Sequence, residues 1–180
     1  MRGELCSKGF LQPLCYAERR AKEGKVASTL RFLQFLALGC WLGGIIYFVV
    51  FTQAIFSVLP TKDLTGLVVG YSLGRLHILG IVAGCIYLVV TAAFEKSVGA
   101  LARPAALLVL LMIVATMVSQ YGVIARMDAI RVQIGSIEAA PAGSPLLAQF
   151  NRLHQYSVQV EMLVLLSGLA SLFLTARPSK

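Results

Sequence analysis

Four long apolar segments dominate this chain, beginning near residues 30, 62, 104 and 145. Each exceeds the roughly 20 apolar residues that a helix needs to cross the hydrocarbon core of a bilayer. Charged residues make up only 13% of the 180 residues, whereas soluble domains have about 25%. The sequence therefore predicts an all-α fold, a four-helix transmembrane bundle whose first partner is the lipid bilayer.

Turn and capping residues between these segments predict the helix ends. Leu59-Pro60 closes the first segment, and Thr61 is the expected N-cap of the second helix. Pro104 and the pair Ser144-Pro145 suit the first turns of the third and fourth helices, because proline lacks the donor that a first turn leaves unpaired. The predicted helices span about residues 30–59, 62–94, 104–137 and 145–176.

These bounds divide the chain into a basic N-terminal arm, residues 1–27, and a four-span domain, residues 28–177. The arm is expected to be disordered or to lie at the membrane interface and to set the orientation; alternatively, residues 17–23 form a short surface helix that breaks at Gly24. Counting about 20 residues back from Phe94 and Thr175 puts the membrane boundary near Arg75 and Tyr156. Helices 2 and 4 are therefore expected to extend outside the membrane.

The net charge of +8 reflects the distribution of 16 Lys and Arg residues around the apolar segments. Because basic residues are enriched in cytoplasmic loops, the side with both termini is predicted to face inward. This means N-in and C-in, in the inner membrane if the protein is bacterial. No basic and aromatic groove accompanies the charge, so no nucleic-acid partner is expected. The five basic residues predicted on the other side are Lys62, Arg75, Arg126, Arg131 and Arg152.

The two histidines of the chain, His77 and His154, each end an Arg-Leu-His triplet at the start of an apolar run. Helices 2 and 4 run in the same direction, so the histidines are expected at matching depths. Two such histidines can ligate haem, or hold copper or zinc together with Glu161 or Met162. The arginines Arg75 and Arg152 would suit a haem propionate or a lipid phosphate. Anchoring at the membrane interface explains the same triplets without a ligand.

Glu161 is the outlier among the polar residues, because a carboxylate within a span costs about 2.5 kcal/mol or more. It shares a helix face with His154 and Ser157, about 10 Å from His154. Gln53 and Gln120, with Tyr121, fall at a similar depth and predict a polar layer beneath the histidines. This layer is either a site for a small solute, proton or metal, or a neutral acid bonded to a glutamine between helices.

Glycines recur at four-residue spacing, a pattern that lets helix backbones approach closely in lipid. Such contacts are expected either inside the bundle or against another subunit, a second copy of this chain, or a bound pigment or lipid. The glycines concerned are Gly39, Gly43, Gly66, Gly70, Gly74, Gly80 and Gly84.

Several short motifs together resemble the four-span membrane family of unknown function that includes transmembrane protein 205. They are Trp41-Leu42-Gly43-Gly44, Leu59-Pro60, Arg126 at the end of the third span, and residues 150–154, Phe-Asn-Arg-Leu-His, followed by Ser157. The resemblance covers roughly residues 30–176 and implies the four-helix fold without a particular reaction. Members of that family often carry an amide where this chain has Glu161.

Three functional hypotheses follow, and no motif of a soluble enzyme supports a catalytic one. The first is a non-enzymatic accessory subunit of a membrane complex that works by packing. The second is a haem- or metal-binding redox protein that uses His77 and His154. The third is a small transporter or tolerance factor built on Glu161.

Overall fold

The computed structural model describes the backbone of residues 12–95 and 97–177, and the side chains of residues 24–95 and 97–177. These residues form an all-α bundle in which no strand occurs. Its elements are α1 (Gln12–Val58), α2 (Lys62–Glu95), a 3-10 turn (Val98–Ala102), α3 (Pro104–Val118), a π-helical segment (Ser119–Ile124), α4 (Ala125–Ile134) and α5 (Pro145–Ala176).

Four helices are long and apolar enough to cross a membrane, which makes this a multi-pass membrane protein. They are Gly24–Val58, Lys62–Glu95, Pro104–Ile134 and Pro145–Ala176. Large apolar side chains such as Val89, Leu166 and Phe173 are more than half exposed on the outer surface. Lipid rather than water is the natural surrounding of such a surface, so the predicted four-helix transmembrane fold is confirmed.

The predicted caps explain why α2 and α5 begin where they do. Thr61 Oγ1 accepts a hydrogen bond from the backbone N–H of Leu64 at 3.3 Å. Ser144 Oγ accepts one from the N–H of Leu147 at 3.5 Å, and Pro145 follows in the first turn. A side-chain oxygen in this position satisfies one of the N–H groups that a helix start leaves unpaired.

Two helix boundaries differ from the sequence-based prediction. The predicted break at Gly24 is wrong, because α1 begins at Gln12 and continues through it. A single glycine costs a helix only about 1 kcal/mol, which good helix formers on both sides offset. At the other end of the third span, α4 stops at Ile134 rather than at residue 137. Gly135 has φ of +77°, which ends the helix. Predictions for residues 1–11 lie outside the described residues.

The bundle has two ends, which are named here for later use. The terminal end holds Arg31, the end of α2, the start of α3 and Arg177. The loop end holds residues 59–61 and 135–144. At the loop end, Asp63 accepts hydrogen bonds from Ser136 Oγ at 2.5 Å and from the N–H of Ile137 at 2.8 Å. These bonds attach the start of α2 to the connection that leads into α5.

Two apolar cores fill the bundle, one toward each end. The core nearer the terminal end is built from α1, α2, α3 and α5 around Trp41, Tyr87, Met112 and Val164. The core nearer the loop end consists of Leu73, Ile124, Met127, Ile130 and Phe150. The polar site described below lies between them.

Trp41 is the largest side chain in the first core, with 1% of its surface exposed. It lies against two glycines of α2. A Cβ at Gly80 would overlap the indole Nε1, and one at Gly84 would lie 2.7 Å from Cζ3. By contrast, Gly39, Gly43 and Gly70 have no neighbouring atom within 4 Å of that position. The predicted glycine pattern therefore includes positions packed closely against a neighbouring helix, such as Gly80 and Gly84, and positions in open space, namely Gly39, Gly43 and Gly70.

We expect Gly80→Ala to lower the free energy of unfolding by about 1–3 kcal/mol, because the new methyl group displaces the Trp41 indole. Gly70→Ala, on the same helix, is the matched control. It adds the same methyl group in open space, and should leave stability equal or raise it by up to about 1 kcal/mol. Thermal unfolding of the purified protein in detergent measures both. Equal midpoints for the two variants would contradict the packing role of Gly80.

Candidate functional site

His77 lies at the centre of the bundle, and both of its ring nitrogens make hydrogen bonds to side chains on other helices. Nε2 lies 2.5 Å from Glu161 Oε1, and Nδ1 lies 2.6 Å from Gln120 Oε1. Only 2% of the surface of His77 is exposed. One buried imidazole thus joins α2, α5 and the π-helical segment.

The three residues occupy similar heights, near the midpoints of their helices. His77 is 15 residues after Lys62 and 18 before Glu95, and Glu161 is 16 after Pro145 and 15 before Ala176. At 1.5 Å per residue, each lies more than about 20 Å from either end of its helix. The site is therefore internal to the bundle and separated from both loop regions by apolar layers.

The π-helical segment presents Gln120 to this site. Buried residues Val109, Ile113 and Thr116 mark the inner face of α3, and Ile124 and Met127 continue it in the next turns. A π turn takes up one residue more than an α turn, which changes the direction of the residues within it. Short π segments occur frequently at functional sites.

A glycine on the facing helix lies beside the glutamine, where an added methyl group would make an ordinary van der Waals contact. A Cβ at Gly74 would lie 4.0 Å from both terminal atoms of the Gln120 amide, so α2 presents bare backbone at this point. Since Gly74 is one turn before His77, the amide lies along α2 and reaches the imidazole.

The hydrogen-bonding capacities of the groups determine where the protons lie. The amide oxygen of Gln120 can only accept, so Nδ1 of His77 carries a hydrogen and donates it. A single proton is then shared between Nε2 and Glu161 Oε1. With this proton on the carboxyl group both residues are neutral, and with it on the ring they form an ion pair. Either arrangement has zero net charge, which suits a medium of low dielectric constant.

Access to the pair is through Glu161 rather than His77. The side chain of Glu161 is 18% exposed, against 2% for His77. The carboxyl group is therefore the part of the site nearest to the outer surface of the bundle.

Several residues predicted for this site lie elsewhere. Gln53 and His154 are exposed, and Tyr121 is exposed on the outer surface beside Gln120. His154 is two helical turns, about 10 Å, from Glu161. Since both nitrogens of His77 are already bonded, the arrangement does not bring the two histidines together as ligands of haem or copper. Within residues 24–95 and 97–177, no group of three or more His, Cys, Asp or Glu side chains is arranged to hold a metal ion.

The predicted interface arginines are on the surface. Arg75, Arg126 and Arg152 are all exposed. Arg75 donates to the hydroxyl of Tyr71 at 2.6 Å and its guanidinium lies over the same ring. None of the three contacts the His77 site.

Sequence reasoning missed two features of the site, the pairing of His77 with Glu161 and the π-helical segment. A signal for the first was present, because Glu161 and His77 each lie near the middle of a long apolar helix. For the second, Ser119, Gln120 and Gly122 interrupt the apolar pattern, but none of these residues distinguishes a π turn from an α turn.

The fold and the site together define a multi-pass helical membrane protein with a buried histidine-carboxyl pair at its centre. Residues 36–136, more than half of the chain, match the domain of unknown function DUF4149. The chain therefore belongs to the DUF4149 family. The matched region includes His77 and Gln120 and ends before Glu161. No curated protein and no solved structure matches the chain.

We expect His77→Ala to lower the free energy of unfolding by about 1–3 kcal/mol, because it leaves a partly buried carboxyl group and an amide without their partner. His154→Ala removes the same side chain from an exposed position and should change stability by no more than about 0.5 kcal/mol. Chemical or thermal unfolding in detergent compares the two. Similar losses in both variants would argue against the buried site.

Proposed function

We propose that the protein translocates protons across the membrane and that His77 and Glu161 form its internal proton-binding site. The observation that carries this proposal is the contact of 2.5 Å between Nε2 of the buried His77 and Oε1 of the partly buried Glu161, in the middle of the bundle. Ionisable residues within spans are costly, face the bundle interior and recur in proton relays. This is the transporter hypothesis with the proton as the transported species.

The proton is the substrate that this geometry favours. Glu161, His77 and Gln120 contact one another directly, so a larger solute would have to separate them. A proton requires no such space. It can be added to or removed from the pair through Glu161, and it moves between the two residues without changing their total charge.

Hydroxyl groups between the His77 site and the terminal end support a route for the proton from the site to that end. Ser167 and Ser171 of α5 are buried, with 7% and 0% of their surface exposed. One turn further along α5, Thr175 Oγ1 lies 2.7 Å from the hydroxyl of Tyr87. Hydroxyls both donate and accept hydrogen bonds, as proton transfer requires.

The proposal includes the orientation drawn from the charge distribution, N-in and C-in, in the inner membrane if the protein is bacterial. The terminal end would then face the cytoplasm. We also propose that the chain is related to transmembrane-protein-205-like proteins in particular, which the Trp41-Leu42-Gly43-Gly44 motif supports. Because such proteins often carry an amide in place of Glu161, the proton function is proposed for this chain and not for its family.

We expect Glu161→Gln to slow proton flux by about tenfold or more, because an amide keeps a hydrogen bond to His77 but cannot release a proton. The measurement uses purified full-length protein in vesicles that contain a pH-sensitive dye. A potassium gradient with valinomycin supplies the driving potential.

Two comparisons make this measurement decisive. Gln53→Ala changes a polar, exposed residue of a span and should keep the wild-type rate. Protein-free vesicles give the background. A wild-type rate equal to that background, or a Glu161→Gln rate equal to that of the wild type, would refute proton translocation.

An exposed strip of small residues on α1 favours a second candidate, the accessory subunit. Gly39, Cys40 and Gly43 are exposed on the outer surface of the bundle, and a Cβ at either glycine would meet nothing within 4 Å. Small residues at this spacing permit close contact with a further helix in the membrane. That helix would belong to another subunit or to a second copy of this chain.

Cys40 allows a direct test of this candidate, because it lies within the strip. In a variant with Cys6, Cys15 and Cys85 changed to Ser, we expect a mild oxidant applied to native membranes to form a disulfide-linked product through Cys40. Its mass identifies a second copy or another subunit. The matched control keeps Cys85, also exposed, as the single cysteine. No product, or equal products from both variants, would contradict contact at this strip.

A further inference from the structure

A cavity of about 260 Å³ lies at the terminal end of the bundle, where all four spans meet. It is far from the His77 site, although Tyr87 and Thr175, the hydroxyl residues named above for a proton route, are among its lining residues. Its rim carries three arginines, one from the start of the first span, one from the start of the third and one from the end of the fourth. These are Arg31, Arg103 and Arg177.

The charges of the rim do not cancel. Glu95 is the one acid among the described residues that line the cavity, and it forms an ion pair with Arg103. Arg31 and Arg177 lie over the rings of Phe94 and Phe173, at 5.9 Å and 4.4 Å from the ring centres. Stacking of this kind orients a guanidinium group and leaves its N–H groups available for another partner.

The floor of the cavity is polar and buried. Gln34 and Thr91, with 7% and 6% of their surface exposed, are joined by a hydrogen bond of 2.9 Å from Gln34 Nε2 to Thr91 Oγ1. Thr91 Oγ1 in turn donates to the carbonyl of Tyr87 at 2.7 Å. These bonds hold polar groups at the bottom of a basic opening, in a region where apolar packing would otherwise be expected.

The start of α3 makes the electrostatic potential in the cavity more positive. Pro104, Ala105 and Ala106 line the cavity, and Arg103 before them provides no side-chain cap. The N–H groups of a first helical turn and the helix dipole both favour an anion at this position.

We propose that this cavity binds a phosphate group, which either an anionic lipid headgroup or free phosphate can supply. Arginine binds phosphate oxygens through paired, charge-assisted hydrogen bonds. The volume is below the roughly 300–1,000 Å³ of sites for drug-sized ligands, so it suits a group of headgroup size. The rim also stands at the border of the apolar spans, at the level of lipid phosphates.

The test measures thermal unfolding of purified full-length protein in an uncharged detergent. Phosphatidylglycerol, phosphatidylcholine and inorganic phosphate are titrated separately, with sodium chloride holding ionic strength constant. We expect phosphatidylglycerol or phosphate to raise the midpoint. Arg31→Gln and Arg177→Gln should each weaken the apparent affinity about tenfold, since each removes a charged hydrogen-bond donor.

Two further variants separate the cavity from the general charge of this end. Lys25→Gln also removes one positive charge, but Lys25 is exposed and does not line the cavity. It should bind as the wild type does. Glu95→Gln removes the acid that pairs with Arg103, so this variant should bind phosphate or phosphatidylglycerol more tightly than the wild type.

Each outcome has a defined meaning. Stabilisation by phosphatidylglycerol alone identifies a lipid headgroup, and stabilisation by inorganic phosphate identifies a soluble source. Equal stabilisation by phosphatidylcholine and phosphatidylglycerol without an effect of phosphate would overturn the proposal. So would no stabilisation by any of the three, or a loss in Lys25→Gln as large as that in Arg31→Gln.

Discussion

The contact of Trp41 with Gly80 and Gly84 is the interaction on which the rest of the bundle depends. In a bilayer, the hydrophobic effect does not drive helices together, so close packing of side chains against small residues takes its place. Trp41 buries the largest ring of the core against bare α2 backbone. His77 is less than one turn from Gly80, so the same contact sets the height and rotation at which the imidazole faces its partners.

The polar site is stable in the middle of the bundle because His77, Glu161 and Gln120 satisfy one another's hydrogen-bonding groups. A buried imidazole with one unbonded nitrogen, or a lone carboxyl group in a span, would each carry a desolvation cost. The π-helical segment removes part of that cost by presenting Gln120 to Nδ1, while Glu161 occupies Nε2. The apolar cores on either side then separate the pair from both ends of the bundle.

The candidate site could be anticipated from the sequence only in part. Glu161 and Gln120 stand out as polar residues in apolar helices, and both belong to the site. Gln53 stands out equally and lies on the surface. Among the glycines, Gly80 and Gly39 have the same spacing pattern but opposite surroundings, one against Trp41 and one open. Spacing along a helix identifies residues that share a face, but the direction of that face depends on which helix packs against it.

The sequence by itself determined the four spans, the bounds of α2 and α5 to within one residue and the caps at Thr61 and Ser144. These features are local: they follow from apolar length, from proline and from side-chain oxygens a few residues from the N–H groups that they satisfy. Only the tertiary structure decided that His77 pairs with Glu161 rather than matching His154, and that Arg31, Arg103 and Arg177 surround one cavity. The two residues of every such pair are more than 70 residues apart along the chain. Their meeting depends on the relative rotation and height of packed helices, which no local pattern specifies.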